Sequence, residues 1–344
     1  MPPRGGTQAI CRPLTTKTAT TVAVFCFPRA HGAKATLTPA ARMTDSPPPL
    51  FTLTGNLLAE RTLTFPAWNA GRTQRATAEI FQVGGKGINV AKMLTRLGAP
   101  NTALGFTGGS TGEECLAWLG RSGLAFRAFP STTPTRTGTV IRASGQPETT
   151  FLGPDVPPDA AALRACADFL DDQPAGLTLA LCGSFPGWAS PDFEVLRAAL
   201  TRWIARGTLV ADTYGPPLTW LIARPVALVK INADELRALA PDLAHLPAHA
   251  AAQRWIVTDG PRSIQLRDLS GPLSAITPPQ IEEISATGSG DVFLACVLHA
   301  WRNRGYDLSA AVNFALPYAA ANAAHPGIAE FPEPTPATSH NFTK

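Results

Sequence analysis

The residues of this 344-residue chain that are best suited to do chemistry lie in two glycine-rich segments. The segment SATGSGDVF (285–293) places Asp291 after a run of small residues and at the start of an apolar helical pattern. Consecutive backbone amides before a helix form a pocket for anions. Such amides would hold a moving phosphoryl group while the carboxylate accepts a proton from the attacking hydroxyl. A helix-capping Asp is the simpler alternative, but a cap does not need the glycines on both sides of Ser289.

The second segment, VGGKGINVAKMLTRLGA (83–99), places three glycines before another helical pattern. Glycine allows positive φ and a close approach of backbone amides to a ligand. Lys86 adds a mobile positive charge, and Asn89 in the first turn offers both donors and acceptors. For an isolated Gly-Gly-x-Gly, a structural turn that leads into a helix is the favoured interpretation. The specificity therefore comes from the two segments together.

Together the two segments resemble the signature motifs of the PfkB (ribokinase-like) carbohydrate kinases, and the resemblance covers roughly residues 51–331. Further matches lie between them in the family's order: GFTGGSTGE (105–113), PTRTG (134–138), GSFPG (183–187), KINADEL (230–236) and VTDG (257–260). The details are most similar to the branch that phosphorylates hexose phosphates, namely 1-phosphofructokinase and tagatose-6-phosphate kinase.

The resemblance implies an ATP-dependent kinase that transfers the γ-phosphoryl group to a hydroxyl of a ketohexose phosphate, with Mg²⁺ as a cofactor. By resemblance, Asp291 is the general base, and the amides of Gly288, Ser289 and Gly290 form an anion hole. Glu235 would hold Mg²⁺ through water, although on its own it would be read as a surface charge.

The ligand contacts that the resemblance implies fall into two groups. The sugar site would contain Asn56, Glu60, Gly84, Gly85, Lys86, Asn89 and Arg136. The nucleotide site would contain Asn232, Thr258, Gly260 and Asn322. Lys86 and Arg136 are the natural candidates for a phosphate already on the substrate, because arginine can bind phosphate in a bidentate way.

Several positions depart from the branch pattern. The chain has Glu60 where the branch has Asp, Gly138 where the lid usually has Asn, and Ser289 where the anion hole usually has Ala. The nucleotide loop contains the unusual pair Pro261-Arg262. These departures leave two alternatives open: a kinase of an unphosphorylated sugar or nucleoside, and a non-catalytic sugar or nucleotide sensor on the same scaffold.

The elements that must position these residues alternate between short apolar runs and helical patterns after Leu50. This alternation predicts an α/β fold with a doubly wound, mostly parallel sheet flanked by helices. Two polar β-like regions, about 60–82 and 125–152, lack the alternation and are predicted to form a small separate sheet, which by resemblance is the lid. We expect one kinase domain over residues 50–331.

Composition excludes several other classes of protein. The net charge is +4, but residues 1–42 hold six basic and no acidic side chains, so the rest has 29 − 6 = 23 basic and 25 acidic groups. A body near −2 argues against a nucleic-acid binder, and no apolar run is long enough for a membrane span. The six cysteines stand singly, which favours reduced thiols and a cytoplasmic protein. By analogy with the family, a homodimer through the lid is expected.

The two ends of the chain are predicted to lie outside the kinase domain. Residues 1–49 are interpreted as a disordered or mis-annotated extension, with translation from Met43 favoured over a transit segment or a poor signal peptide. Residues 332–344 are predicted to be a short disordered tail.

Overall fold

The computed structural model describes residues 48–268 and 271–334. The predictions for residues 1–49 and 332–344 therefore lie almost wholly outside the described residues. At the carboxyl end, the predicted tail starts too early, because Glu333 accepts hydrogen bonds from Arg96 and from the Tyr318 hydroxyl. In the described residues, no helix combines the length and apolar character that crossing a bilayer requires.

Strands and helices alternate through the described residues. The strands are β1 (Leu50–Thr54), β2 (Leu58–Phe65), β3 (Ala78–Gly84), β4 (Asn101–Thr107), β5 (Phe126–Pro130), β6 (Arg136–Ala143), β7 (Thr149–Leu152), β8 (Thr178–Cys182), β9 (Thr208–Asp212), β10 (Leu228–Asn232), β11 (Trp255–Thr258), β12 (Ile264–Arg267) and β13 (Ser274–Ile276). The α-helices are α1 (Lys86–Arg96), α2 (Gly109–Ser122), α3 (Ala160–Asp171), α4 (Glu194–Arg206), α5 (Pro216–Ile222), α6 (Ala233–Arg237), α7 (Ser289–Leu298) and α8 (Leu308–Ala323).

The large sheet has the strand order β13-β12-β11-β10-β9-β8-β1-β4-β5. Its pairs are parallel from β11 across to β5, and only β12 and β13 are antiparallel to their neighbours. The chain runs outward from β1 in one direction through β4 and in the other through β8. This reversal is the switch point at which doubly wound sheets bind ligands, at the carboxyl ends of the strands. The predicted fold class is confirmed.

The helices cover both faces of the large sheet. Strand β8 shows why, since Leu179 and Leu181 belong to the hydrophobic cluster with α3, α4 and α5, while Ala180 and Cys182 belong to the cluster with α1, α7 and α8. A strand that is buried on both faces reads as a continuous apolar run, which is what the sequence shows.

Four strands form a second, smaller sheet in the order β3-β2-β6-β7. Its strands fall within or close to the two polar regions of the sequence. The boundary expected at residue 125 was misplaced, because β5 pairs in parallel with β4 at the edge of the large sheet. The alternating pattern of an edge strand resembles that of a strand in the small sheet, so the sequence alone does not separate them.

Candidate active site

Asp291 lies in the first turn of α7, at the carboxyl edge of the large sheet. Gly288 precedes this helix with φ at +75°, and a Cβ there would lie 2.7 Å from Ile328 Cγ2. The Asp291 side chain is buried, and Asn89 Nδ2 donates to its Oδ2 at 2.7 Å. Burial and the charge of Asp212 raise the pKa of Asp291 to about 6, against the opposing effect of nearby lysines and Asn89. A carboxyl group with this pKa can accept a proton near neutral pH.

The backbone of the turn before α7 is partly committed to its own hydrogen bonds. The amide of Ser289 donates to Ala286 O at 3.2 Å, and the amide of Asp291 donates to Gly288 O at 3.0 Å. Of the amides predicted to form the anion hole, the Ser289 amide therefore already has an internal acceptor. The anion-hole prediction consequently rests chiefly on Gly288 and Gly290.

Lys86 lies beside this turn, in a group of charged side chains. Its Nζ donates to Asp212 Oδ1 at 2.9 Å and lies 3.6 Å from Glu235 Oε1. Lys230 Nζ donates to the second oxygen of Asp212 at 3.1 Å. Although burial favours neutral lysine, the carboxylates Asp212, Asp291 and Glu235 outweigh it and raise the pKa of Lys86. Lys86 therefore stays cationic where phosphates would arrive.

The glycine-rich turn before α1 needs its glycines. Gly85 has φ at +119°, and a Cβ at this position would lie 2.6 Å from Thr54 Cγ2. The helix can therefore begin directly against the end of β1. This close approach brings Lys86 and Asn89 to the switch point.

Asn232 and Glu235 form a capping box at the start of α6. The Glu235 amide donates to Asn232 Oδ1 at 2.8 Å, and the Asn232 amide donates to Glu235 Oε2 at 2.8 Å. These bonds give both residues a structural role. The other oxygen of Glu235 points toward Lys86, so the carboxylate also belongs to the charged group around the site.

A cavity of about 220 Å³ opens beside the turn at the start of α7. Its lining includes Thr258, Gly260, Ser289 and Gly290, together with apolar side chains of α7 and α8. Two residues predicted to contact the nucleotide, Thr258 and Gly260, thus line one cavity.

Asn322 does not line this cavity, in contrast to its predicted place in the nucleotide site. It is fully buried, and its Nδ2 donates to Thr287 O and Ser289 Oγ, both at 3.1 Å. Its Oδ1 accepts from the Ala329 amide at 2.9 Å. All its polar atoms are engaged with protein, so Asn322 holds the turn in place from behind.

The residues predicted for the sugar site are divided between two places. Asn56 Nδ2 and Arg136 Nη1 both donate to Asp155 Oδ1, at 2.7 and 2.8 Å. Arg136 Nε is buried and has no hydrogen-bond partner. Lys86, in contrast, binds the carboxylate of Asp212. The two cations expected to share a substrate phosphate thus contact different carboxylates.

Glu60 lies on β2 between its neighbours in the small sheet, opposite Gln82 on β3 and Gly138 on β6. Its Oε1 accepts a hydrogen bond from Gln82 Nε2. A Cβ on Gly84 would lie 3.0 Å from its Oε2. Glu60 and Gly84 are therefore adjacent on the paired strands β2 and β3.

The site residues predicted from the sequence do not include Asp212, Lys230 and Asp155. Asp212 ends the apolar strand TLVAD, and Lys230 lies inside the apolar strand LVKIN. Charged residues are almost never buried unless they are paired. A charge within a buried strand was thus a usable signal for the first two. No comparable pattern marked Asp155.

Comparisons with known proteins identify the family of this chain. The model of the pfkB family carbohydrate kinases matches residues 58–336. The chain is 28% identical to ATP-dependent 6-phosphofructokinase isozyme 2 of Mycobacterium tuberculosis, over 85% of this chain and 89% of that protein. It is 30% identical to 1-phosphofructokinase of Rhodobacter capsulatus, over 75% of this chain and 85% of that protein.

Solved structures show the same fold. Phosphofructokinase-2 from Escherichia coli in complex with fructose-6-phosphate superposes with a TM-score of 0.72 at 23% identity, covering 80% of this chain and 94% of that one. Ribokinase from Thermotoga maritima superposes with a TM-score of 0.62 at 17% identity, covering 82% and 96%. The ribokinase-like architecture expected from the sequence is confirmed, and the chain belongs to the pfkB family of carbohydrate kinases.

Proposed function

We propose that this protein is an ATP-dependent kinase that transfers the γ-phosphoryl group to a hydroxyl of a ketohexose phosphate. The observation that carries the proposal is the position of Asp291, which is buried against Asn89 at the turn that also lines the cavity beside Thr258 and Gly260. A proton acceptor and a cavity of about 220 Å³ thus meet at one helix start. The phosphofructokinase names of the relatives support a sugar phosphate as the acceptor.

In the proposed reaction, Asp291 accepts the proton of the attacking sugar hydroxyl. The hydroxyl oxygen forms a bond to the γ-phosphorus as the bond from that phosphorus to the bridging oxygen of ATP breaks, and ADP leaves with the electron pair. The amides of Gly288 and Gly290, with Lys86 and Lys230, would stabilise the charge on the moving group.

The residues present suit a magnesium ion that is held mainly by ATP. Within the described residues, no cluster of three or more His, Cys, Asp or Glu side chains could form a cage for a metal. Mg²⁺ keeps several waters and takes one or two protein carboxylates beside substrate phosphates. Glu235, with one oxygen turned toward the charged group, fits the role of a carboxylate that binds through water. When bound, the ion would neutralise charge on the phosphates.

Arg136 is the proposed ligand for the phosphate already present on the sugar. Its guanidinium is mostly buried and its Nη1 reaches Asp155, while its buried Nε has no hydrogen-bond partner. Asn56 at the same carboxylate and Glu60 on the small sheet would contact sugar hydroxyls. We assign the small sheet the role of a lid that keeps water from the γ-phosphoryl group.

A panel of acceptors tests the proposal. ADP release would be measured with fructose 1-phosphate, fructose 6-phosphate, tagatose 6-phosphate, the free sugars and nucleosides, with the Asp291→Asn variant as the inactive control. Turnover on the sugar phosphates is expected, and turnover only on unphosphorylated acceptors would replace the proposal by a fructokinase- or ribokinase-type kinase. Binding without turnover on any acceptor would indicate a sensor.

Two further proposals concern the setting of the enzyme. The small sheet exposes Ile80, Phe151 and Leu152, which supports a homodimer formed through it. Light scattering on the wild type and on an Ile80→Asp variant would test this.

A cytoplasmic location is supported by the four described cysteines, which are buried and unpaired. Thiol titration of the protein purified from its natural source would test this.

A further inference from the structure

Asp212 is a buried carboxylate to which neither the motifs nor the proposed reaction assigns a task. It ends β9 and is completely buried. Its Oδ1 accepts from Lys86 at the start of α1, and its Oδ2 accepts from Lys230 on β10. One carboxylate thus joins three separate elements, β9, α1 and β10.

Burying the charge of Asp212 costs free energy, so we expect this arrangement to serve a specific role. A buried charge is costly unless it is paired and hydrogen-bonded, and removing one partner leaves the other uncompensated. Here each oxygen of Asp212 faces one ammonium group at 2.9 and 3.1 Å. The lysines also need the carboxylate, because two cations side by side would otherwise repel each other.

Asp212 also determines where Lys230 lies. A Cβ on Gly290 would stand 2.9 Å from Lys230 Nζ, so the ammonium group lies directly against the first turn of α7. This is the turn that contains Asp291. Lys86 lies near the same turn, because Asp291 is close enough to help raise the pKa of Lys86.

We propose that Asp212 is a positioning residue for phosphoryl transfer, which holds Lys86 and Lys230 side by side at the turn that contains Asp291. This inference rests on the proposed function. Both oxygens of Asp212 accept from lysine ammonium groups, so it acts through the two lysines. Misplacing such groups by about 1 Å can lower a rate roughly 10²-fold.

The Asp212→Asn substitution separates positioning from simple attraction of ATP. It keeps the size of the side chain but removes a negative charge, which makes the site more positive. We expect kcat to fall roughly 10²-fold while the KM for ATP stays the same or decreases. Loss of ATP binding in parallel with kcat would overturn the proposal, since it would point to direct contact with the nucleotide or to a damaged site.

A double-mutant cycle tests whether the effect passes through the lysines. Asp212→Asn would be introduced alone and together with Lys230→Met and Lys86→Met, with thermal unfolding as a check on folding. In the variant that lacks both Lys86 and Lys230, Asp212→Asn is expected to change kcat less than about threefold, because the effects of coupled residues are not additive. An undiminished loss there contradicts the proposal. The matched control is Asp171→Asn, which removes an exposed partner of Arg202.

A binding measurement keeps this inference separate from the proposed reaction. If the wild type phosphorylates no acceptor in the panel, the proposed function fails, but calorimetry with a non-hydrolysable ATP analogue still tests the positioning. Lys230→Met should bind the analogue more weakly than the wild type, and Asp212→Asn at least as tightly. Weaker binding by Asp212→Asn contradicts the inference. If Asp212→Asn does not fold, Asp212→Glu, which retains the charge, is measured in its place with the same expectation of lowered kcat and retained ATP binding.

Discussion

Thr287 donates its hydroxyl hydrogen to Glu148 Oε1 at 2.9 Å, although 139 positions separate the two residues. Glu148 lies just before β7 in the small sheet, and Thr287 lies just before the turn that contains Asp291. The other oxygen of Glu148 accepts from Arg142 Nε at 2.7 Å, and Arg142 Nη2 donates to Pro326 O at 2.6 Å. The edge of the small sheet is therefore attached to the loop before α7 and to the loop after α8.

This attachment predicts the behaviour of a Glu148→Ala variant. Without the bond to Thr287, the small sheet should close less firmly, and water should reach the γ-phosphoryl group more often. We expect kcat for sugar phosphorylation to decrease several-fold and ATP hydrolysis without acceptor to increase. Glu79→Ala, which removes a partner of Arg61 elsewhere on the small sheet, is the control. A hydrolysis rate equal to that of the wild type would exclude a role for Glu148 in closure.

The environment of Asp291 predicts a pH dependence. Its pKa is raised to about 6, first by burial and then by Asp212. A general base must be deprotonated, so kcat/KM should fall about tenfold per pH unit below this value and level off above it. The profile would be measured from rates at low acceptor concentration.

A variant without the hydrogen bond from Asn89 distinguishes titration of Asp291 from titration of the substrate. Phosphate groups also titrate near pH 6, so the wild-type profile alone does not identify the titrating group. Asn89 lowers the pKa of Asp291 by donating to its charged form. Asn89→Leu should therefore move the acid limb to higher pH with the same substrate, while Asn313→Leu, at an exposed position on α8, should not. An unmoved limb in Asn89→Leu would assign the titration to another group.

The fold and the two glycine-rich turns could be predicted because their information is local. Apolar runs and helical spacing reveal a doubly wound sheet, and the small residues before Asp291 reveal a turn that approaches a ligand. The roles of Asp212 and Asp155 could not be predicted in this way, since each depends on partners from other elements. The charge at the end of an apolar strand marks Asp212 as unusual, but its partners become known only when α1 and β10 bring two lysines to it.

For Asn322, in contrast, the sequence predicted a ligand contact that the structure does not support. The resemblance places it among the nucleotide contacts, yet its amide is enclosed by Thr287, Ser289 and Ala329. A motif can identify a residue near a site without distinguishing a ligand contact from a support. That distinction depends on which way the side chain points, which a single sequence does not encode locally.

Substitution of Arg136 is predicted to weaken the binding of the acceptor and not that of ATP. If it holds the phosphate of the sugar, Arg136→Ala should raise the KM for a sugar phosphate roughly 10–100-fold, as expected for a charge-assisted hydrogen bond of about 1.5–3 kcal/mol. The KM for ATP should stay the same. Arg136→Lys should recover only part of the affinity, because lysine lacks the planar fork. Arg127→Ala, at an exposed position on β5, is the control. Equal effects on both substrates would remove Arg136 from the phosphate site.

Gly288 predicts a loss of both stability and activity. An alanine there would have to adopt φ near +75° with its Cβ 2.7 Å from Ile328 Cγ2, and Ile328 is buried. We expect Gly288→Ala to destabilise the fold by about 1–3 kcal/mol, measured by urea unfolding, and to lower kcat because the turn carries Asp291.

Gly145→Ala provides the matched control for Gly288→Ala. Gly145 has a similar φ of +68°, but a Cβ there would meet nothing within 4 Å. It therefore reports the cost of the left-handed backbone alone, and kcat should be unchanged. If Gly288→Ala were no more harmful than Gly145→Ala, the close packing of the turn against Ile328 would not be what holds Asp291 in place.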